Sequence, residues 1–258
     1  MAKKIRLDKI LSHMGIGTRS EVKKIIKQKR VAIDGKITNV LNTQVMIEEQ
    51  VITLDNVEIK YEEFFYFIIN KPEGVISATK DNMHETVIDL LDLEDKNKEV
   101  FPVGRLDIDT EGLLLLTNDG KLSHELLSPK KNVPKTYFAK VDGKMTQEDV
   151  EAFKEGITLE DGYNCLPAHL HIISAGEISE IEITINEGKF HQVKRMVQAV
   201  GKQVFYLQRI QMGNLKLPED LELGSYRKIT QEEKDLLTMT ANEQTNKLTN
   251  ELINEASR

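Results

Sequence analysis

The sequence predicts an α+β fold, in which a small α/β module precedes a larger domain built on a mixed, mainly antiparallel sheet. Three observations support this. The 258 residues suffice for a small and a medium domain. Basic side chains are concentrated near the N-terminus, and strand-length apolar runs alternate with segments of helical periodicity further along. We therefore divide the chain into residues 1–60, residues 61–230 and a polar tail, 231–258.

Composition limits the classes of function. The single cysteine, Cys165, excludes an intramolecular disulfide and provides no metal-ligand cluster, which fits a reducing cytoplasm. No apolar run could cross a membrane, and no signal peptide is recognisable, so we expect a cytoplasmic protein without a membrane partner. The net charge of −7 hides an asymmetry. Residues 1–60 hold 12 Lys/Arg against 7 Asp/Glu, and residues 61–258 hold 23 against 35. An acidic polymer would therefore contact the N-terminal part.

The first module is predicted to contain two helices and a hairpin. Apolar residues of the first helix recur at helical spacing, at Leu7, Ile10, Leu11 and Met14. Thr18 and Glu21 form a capping-box pattern that begins the second helix, and its apolar stripe is Val22, Ile25 and Ile26. Asp34-Gly35 indicates a hairpin turn. The second helix presents cations on another face, at Lys23, Lys27 and Arg30. These could bind RNA phosphates or form an ordinary solvated face.

This region resembles the S4 RNA-binding module. The matching stretches are Arg6–Leu11, Gly17–Glu21 and Val31–Gly35. The resemblance implies binding to structured RNA but does not imply catalysis. The candidate RNA-binding residues in this module are Arg6, Lys9, Arg19, Lys23, Lys27, Arg30 and Lys36.

The larger domain is predicted to follow a short polar linker at residues 60–63. An apolar strand at 64–71 ends in the turn Lys71-Pro72-Glu73-Gly74. Further strands are predicted at 113–117, 136–141 and 178–185, and helices at 122–127, 147–154 and 191–200. From Gln231 onward the chain is polar, which predicts a loosely held helix or a disordered tail.

The segment Gly104–Gly112 is the most informative in the chain. It places four ionisable side chains between two glycines, Arg105, Asp107, Asp109 and Glu111. Such a cluster costs solvation energy unless its members are paired or used. By itself it could be a surface loop with an Arg105–Asp109 pair, or a magnesium site formed by Asp107 and Asp109.

Four ordered blocks favour a further interpretation of this segment, and a magnesium-dependent RNA enzyme that uses Asp107 and Asp109 stays an alternative. The segment from Gly104 continues to Gly120, and the other blocks are Asn70–Gly74, Lys135-Thr136-Tyr137 and Glu187–Met196. Together they resemble the bacterial pseudouridine synthases that act on small- and large-subunit ribosomal RNA. The resemblance extends from residue 3 to about residue 229, and it implies isomerisation of a uridine to pseudouridine.

The resemblance also implies roles for individual residues. Asp107 is expected to be the catalytic carboxylate, acting on the sugar either as a nucleophile or as a base. Tyr137 is expected to stack on the target uracil, and Lys194 to be the basic partner of the carboxylate. Arg105 could support the flipped nucleotide. The alternatives are a core tyrosine at 137, a solvated helix lysine at 194 and a structural arginine at 105.

Two residues of the last block, His191 and Arg195, are given only a supporting place. Isomerisation needs neither oxidation nor hydrolysis, so we expect no metal, nucleotide or redox cofactor.

The expected partner is ribosomal RNA or a subunit assembly intermediate, bound by a monomer. The segment Gly74-Val75-Ile76-Ser77-Ala78-Thr79 is closer to the small-subunit enzyme, which indicates uridine 516 of 16S RNA as the target. The alternatives are a large-subunit (23S) enzyme and a non-catalytic S4 assembly factor.

Overall fold

The computed structural model describes residues 3–238, and its N-terminal unit combines two helices with six short strands. Helix α1 covers Leu7–His13 and α2 covers Arg19–Lys27. The strands are β1 (Lys4–Arg6), β2 (Val31–Ile33), β3 (Lys36–Thr38), β4 (Gln44–Met46), β5 (Ile52–Leu54) and β6 (Val57–Ile59). β1 pairs with β4, and β3-β2-β5-β6 form an antiparallel sheet.

The predicted helices and hairpin of this unit are confirmed. Thr18 and Glu21 make both hydrogen bonds of the capping box, and Asp34-Gly35 connects β2 to β3 with both φ angles positive. One detail of the prediction is wrong. Arg30 does not extend the cationic face of α2, because the helix ends at Lys27 and Lys29, at φ 61°, redirects the chain into β2.

The larger unit is a nine-stranded sheet. Its strands are β7 (Tyr66–Lys71), β8 (Phe101–Pro102), β9 (Glu111–Thr117), β10 (Lys135–Asp142), β11 (His169–Ser174), β12 (Ile178–Ile185), β13 (Gln203–Met212), β14 (Leu215–Lys216) and β15 (Tyr226–Lys228). The main order is β11-β12-β10-β13-β9-β7-β15, and β13/β9 is the parallel pair. The expected mixed, mainly antiparallel sheet is therefore confirmed.

Within residues 3–238, five α-helices accompany this sheet. They are α3 (Leu93–Lys96), α4 (Gly120–Leu127), α5 (Gln147–Glu155), α6 (Gln192–Ala199) and α7 (Gln231–Thr238). Apolar residues of α5 and α6 join the core on one face, whereas α4 and α7 contribute to a second core on the other. β9 is buried on both faces, which explains its unbroken leucine run.

The helix expected after Gln231 is present as α7. Leu237 is buried in the second core, and Glu233 forms a two-bond ion pair with Arg227. These contacts hold the described part of the helix against the sheet more firmly than its polar composition predicts. The rest of the predicted tail lies outside the described residues.

Side chains join the N-terminal unit to the larger one. The His13 ring lies 5.3 Å from the Tyr61 ring and 5.2 Å from the Phe65 ring, between centroids. Its Nε2 lies 2.9 Å from the carbonyl oxygen of Glu62 in the polar linker. Gly15 adjoins Glu94 so closely that a Cβ would lie 2.3 Å from the Glu94 carbonyl oxygen. The linker is therefore fixed by contacts at both ends.

Candidate active site

A loop with a glycine at each end carries the predicted catalytic carboxylate. Gly104 has φ +76°, and a Cβ there would lie 2.9 Å from Leu127 Cδ2. Gly112 has φ +103°, and a Cβ there would lie 2.3 Å from the carbonyl oxygen of Arg209 on β13. Only glycine satisfies both the left-handed backbone and the close approach. The loop between them is thus set against α4 at one end and β13 at the other.

Backbone contacts hold this loop in one conformation. Ser77 Oγ donates to the carbonyl oxygen of Leu106 and accepts from its amide at 3.0 Å. The Thr110 amide donates to the carbonyl oxygen of Asp107 at 3.0 Å. Leu106 itself is buried in the main core, which leaves the neighbouring Asp107 side chain facing the site.

Lys71, at the end of β7, holds the loop that carries Asp107 through hydrogen bonds to its backbone. It is fully buried, and its Nζ donates to the carbonyl oxygens of Pro72, Ile108 and Thr110 at 2.9, 3.3 and 2.8 Å. Burial lowers the pKa of Lys71 to about 8, although the nearby Asp109 and Asp107 act in the opposite direction. A buried ammonium with three carbonyl acceptors is well suited to fixing the loop.

Two cationic or titratable side chains approach Asp107. Lys194 Nζ lies 3.7 Å from Asp107 Oδ2, and His191 Nε2 lies 3.6 Å from Asp107 Oδ1. Lys194 lies closer still to Asp109, at 2.5 Å from Oδ1. Partial burial raises the pKa of Asp109, but the hydrogen bond and charge of Lys194 outweigh this effect and lower it overall.

The Lys194–Asp109 ion pair replaces the Arg105–Asp109 pair that the sequence offered as an alternative. Asp109 pairs with Lys194 and not with Arg105, which is exposed and makes no hydrogen bond or ion pair within the described residues. Lys194 likewise is not an unpaired helix lysine. Its side chain is only 20% exposed and bridges two carboxylates.

Tyr137 lies on β10 in the main core, with 8% of its surface exposed. It belongs to one row across the sheet, in which Lys71 pairs with Gly112, Gly112 with Arg209, and Arg209 with Tyr137. Its side chain shares the core cluster with Val193 of α6. The row connects the tyrosine to the point where the loop that carries Asp107 enters β9.

Two further buried cations, Arg209 of this row and Lys135 of β10, lie in the same part of the sheet. Arg209 is 2% exposed and its Nε donates to the carbonyl oxygen of Leu113, while its Nη2 has no partner among the described residues. Burial, and then the charge of Arg209, lower the pKa of Lys135 to about 8. The sheet next to the loop therefore contains buried basic side chains in addition to Lys71.

The segment that leads into α6 is held by Glu187. This carboxylate accepts from the Tyr163 hydroxyl at 2.6 Å, from the Leu166 amide at 2.9 Å and from Gln192 Nε2 at 2.7 Å. His191 caps α6 in a left-handed conformation, at φ 48°. This backbone costs a non-glycine residue about 1–2 kcal/mol, so the surrounding contacts must impose it.

Several predicted RNA-binding residues share one cleft. Arg6, Lys9, Arg19 and Lys23 line a cleft of about 380 Å³ together with the segment 97–99 of the larger unit. Lys27, Lys36 and Arg30 are exposed outside it. Arg30 forms an ion pair with Asp55, and Arg6 donates to Asp8. The structure therefore separates four cations on the cleft from three elsewhere on the N-terminal unit.

The site offers no obvious metal centre. Within residues 3–238, no group of three or more His, Cys, Asp or Glu side chains is arranged to hold a metal ion. In addition, the ammonium group of Lys194 contacts both Asp107 and Asp109, the pair suggested as magnesium ligands.

Among residues 3–238, no helix is long and apolar enough to span a membrane.

Three residues contribute more to this site than the sequence predicts. Lys71 and Ser77 occur in the sequence only as parts of matching segments, because their hydrogen bonds to the loop depend on strand register. His191 is predicted to have only a supporting place, yet it lies as near to Asp107 as Lys194 does. Its spacing of three residues from Lys194, which places both at the start of one helix, was the available signal.

Comparison with known proteins is consistent with this geometry. The RNA pseudouridylate synthase family model matches residues 65–199, and the S4 domain model matches residues 5–51. An uncharacterized RNA pseudouridine synthase of Bacillus subtilis is 47% identical over 90% of this chain and 98% of its own length.

Two relatives have more specific names. Ribosomal small subunit pseudouridine synthase A of Vibrio vulnificus is 39% identical over 90% of this chain and 98% of its own. Ribosomal large subunit pseudouridine synthase B of B. subtilis is 37% identical, over 88% and 93% respectively. A crystal structure of a pseudouridylate synthase has a TM-score of 0.64 at 36% identity and covers 90% of this chain and 99% of its own. The chain therefore belongs to the RNA pseudouridine synthase family and carries an N-terminal S4 domain.

Proposed function

We propose that this enzyme isomerises a uridine of ribosomal RNA and that Asp107 is its catalytic carboxylate. The observation that carries the proposal is the placement of Asp107 in a loop bounded by glycines, within 4 Å of both Lys194 and His191. A carboxylate in this position has the chemistry that either a nucleophile or a base requires.

The reaction needs few chemical groups. The bond between uracil N1 and the sugar C1′ breaks, the base turns, and C5 bonds to C1′. C5 then loses its proton to solvent while N1 takes up a proton, so the product is an isomer of the substrate. Asp107 acts on the sugar as the nucleophile or the base, with the ammonium group of Lys194 and the imidazole ring of His191 beside it. Tyr137, in the row beneath, is the proposed stacking partner of the uracil, and Arg105 the proposed contact to the flipped nucleotide. These roles are assigned by matching position and by proximity.

The S4 domain is the proposed RNA clamp. Its cations on the cleft face the larger unit, so one RNA could contact the cleft and the site together. The named relatives act on either ribosomal subunit, which supports ribosomal RNA as the substrate class. Within this class we propose uridine 516 of the small-subunit RNA, on the likeness of segment 74–79 to the small-subunit enzyme.

Pseudouridine mapping of both ribosomal RNAs tests the substrate. RNA from cells with and without the gene should differ at one uridine of the small-subunit RNA. A site lost from the large-subunit RNA instead would assign the enzyme to that subunit. Loss at neither would contradict the ribosomal substrate. Re-expression of wild type, but not of Asp107→Asn, should restore the site.

A magnesium-dependent reaction is the rival chemistry. Because Lys194 bonds to Asp109 and approaches Asp107, a cation already neutralises the two carboxylates. We expect chelation with EDTA to leave turnover unchanged on a short RNA fragment whose fold does not require magnesium. Turnover that stops with chelator and returns only with added metal would support the metal site.

A further inference from the structure

Phe190 is an exposed aromatic residue at the edge of the active site. Its side chain is 75% exposed, although burying such a ring would stabilise the protein by about 1.5–3 kcal/mol. It immediately precedes His191, which lies 3.6 Å from Asp107. An apolar ring kept in solvent beside a catalytic carboxylate needs an explanation that the reaction at the sugar does not supply.

The ring is held in a defined position. It stacks on the His191 ring, with 3.8 Å between centroids and 17° between planes. His191 is fixed by its left-handed backbone and by its carbonyl oxygen, which accepts from the Arg195 amide at 2.9 Å. Glu187 and Gln192 anchor the preceding residues, since Gln192 bonds to both Glu187 and the Lys189 amide. One face of Phe190 is therefore covered and the ring is oriented before substrate arrives.

The surroundings of the ring distinguish between classes of occupant. Its chain neighbours Gly188 and Lys189 are exposed, so no apolar residue precedes Phe190 in this segment. A protein partner would bury a contiguous apolar patch. A nucleobase requires only a flat ring with basic side chains near its phosphates, and the adjacent basic residue is Lys189, whose Nζ lies 4.8 Å from the Tyr163 ring centroid.

We propose that Phe190 stacks on the base that flanks the extruded uridine. An enzyme that acts on C1′ and C5 of a uridine in structured RNA must draw that nucleotide out of the stack, which leaves its neighbour uncovered. The Phe190 ring, backed by His191, replaces the missing stacking partner one ring away from Asp107. Phe190 is thus a substrate-positioning residue, and this inference rests on the proposed function.

A cycle that combines protein and RNA changes tests the stacking. Wild type and Phe190→Ala are each assayed on ribosomal RNA fragments that carry the normal base or an abasic nucleotide on the 5′ or the 3′ side of the mapped uridine. We expect Phe190→Ala to raise the RNA concentration needed for half-saturation by roughly tenfold, which corresponds to the loss of one base–aromatic stack. On the abasic fragment that lacks the stacking base, and only on that fragment, the variant and wild type should have equal half-saturation concentrations. Phe190→Tyr should restore the affinity and Phe190→Leu should not.

Control variants and outcomes separate this inference from the proposed function. Phe205→Ala removes another exposed ring, on β13, and should change nothing. If wild type forms no pseudouridine in ribosomal RNA, the proposed function fails. If wild type is active and Phe190→Ala matches it on every fragment, only the stacking inference fails. Equal losses on normal and abasic RNA would also overturn it, as would a defect confined to ribosomal particles, which would indicate a protein partner.

Discussion

Lys194 contacts two carboxylates unequally, at 2.5 Å from Asp109 and 3.7 Å from Asp107. The closer pair lowers the pKa of Asp109, and the longer one leaves Asp107 without a direct hydrogen bond from the ammonium. A carboxylate that is accompanied but not tightly bonded remains free to react. The two aspartates, two positions apart, therefore differ in their contacts, and on the proposed function we expect them to differ in their roles.

We predict that Asp107→Asn abolishes isomerisation and Asp109→Asn does not. Removing the catalytic carboxylate should lower the single-turnover rate by about a thousandfold or more. Removing Asp109 releases Lys194 toward Asp107, so the rate should stay within about tenfold of wild type. Tritium release from C5-labelled ribosomal RNA measures both, and RNA affinity should be unchanged in each. A reversed order of effects would move the catalytic role to Asp109.

Lys71 predicts a pH dependence with opposite effects on rate and stability. Its pKa of about 8 lies below its ordinary value of 10.5. As pH rises through about 8, the ammonium loses one of three donors to the loop, so the single-turnover rate should fall. The unfolded chain holds this proton up to about pH 10.5, so the stability contribution of Lys71 should rise between these values.

Two variants test whether Lys71 causes the fall in rate near pH 8. Lys71→Met should have a low rate that no longer falls near pH 8. Lys135→Met removes the other buried lysine with a pKa of about 8 and should keep the decline. Rate profiles from pH 6.5 to 9.5, with urea unfolding at the same values, provide the comparison. A decline that survives in Lys71→Met and disappears in Lys135→Met would contradict the assignment.

At the scale of elements, the parallel pairing of β9 with β13 depends on Gly112. The pair is short, joining Glu111 to Gln208 and Gly112 to Arg209, and it connects the catalytic loop to the rest of the sheet. A Cβ at Gly112 would lie 2.3 Å from backbone oxygen, which cannot rotate away. The whole strand would have to move.

We therefore predict that Gly112→Ala is much more destabilising than Gly201→Ala. Gly201 also has positive φ, at 77°, but its Cβ would meet nothing within 4 Å. Backbone strain alone should cost about 1–2 kcal/mol at Gly201. Gly112→Ala should cost roughly 1–3 kcal/mol more and lower activity, because β9 carries the loop. Urea unfolding gives both values, and equal losses would show that β9 shifts freely.

The sequence predicted the elements whose patterns are local. The leucine run of β9, the capping box of α2 and the Asp34-Gly35 turn each depend on neighbouring residues, and all three are present. β13 was not predicted, because its polar residues include Arg209, which is buried by contacts with distant strands. The support that Lys71 gives to the loop escaped prediction for the same reason, since it depends on register between β7 and β9.

At the scale of the whole molecule, charge is divided between the two units. The chain is net acidic, yet four cations of the S4 domain line the cleft that faces residues 97–99. RNA should be attracted locally, because phosphate binding depends on the nearby surface and not on the total charge.

The double variant Lys9→Glu/Lys23→Glu should therefore weaken the binding of ribosomal RNA. The slope of the logarithm of the binding constant against the logarithm of the salt concentration should fall by roughly one unit, or slightly less, for each phosphate that is no longer bound. The matched control is Lys144→Glu/Lys154→Glu, which makes the same charge change at exposed positions of the larger unit. Affinity is measured from low to moderate salt, and the single-turnover rate at saturating RNA. Equal effects of the two double variants would refute a local clamp.

The contacts of His13 with Tyr61, Phe65 and the linker backbone have a consequence for substrate size. Because the cleft and Asp107 belong to units joined by these contacts, they are a set distance apart, and an RNA must span that distance to use both. The distance between the cleft and Asp107 would then set a minimum length for the RNA that the enzyme binds at both places. Fragments trimmed stepwise from one end should lose affinity abruptly at one length, and loosening the junction by His13→Ala should blur that step.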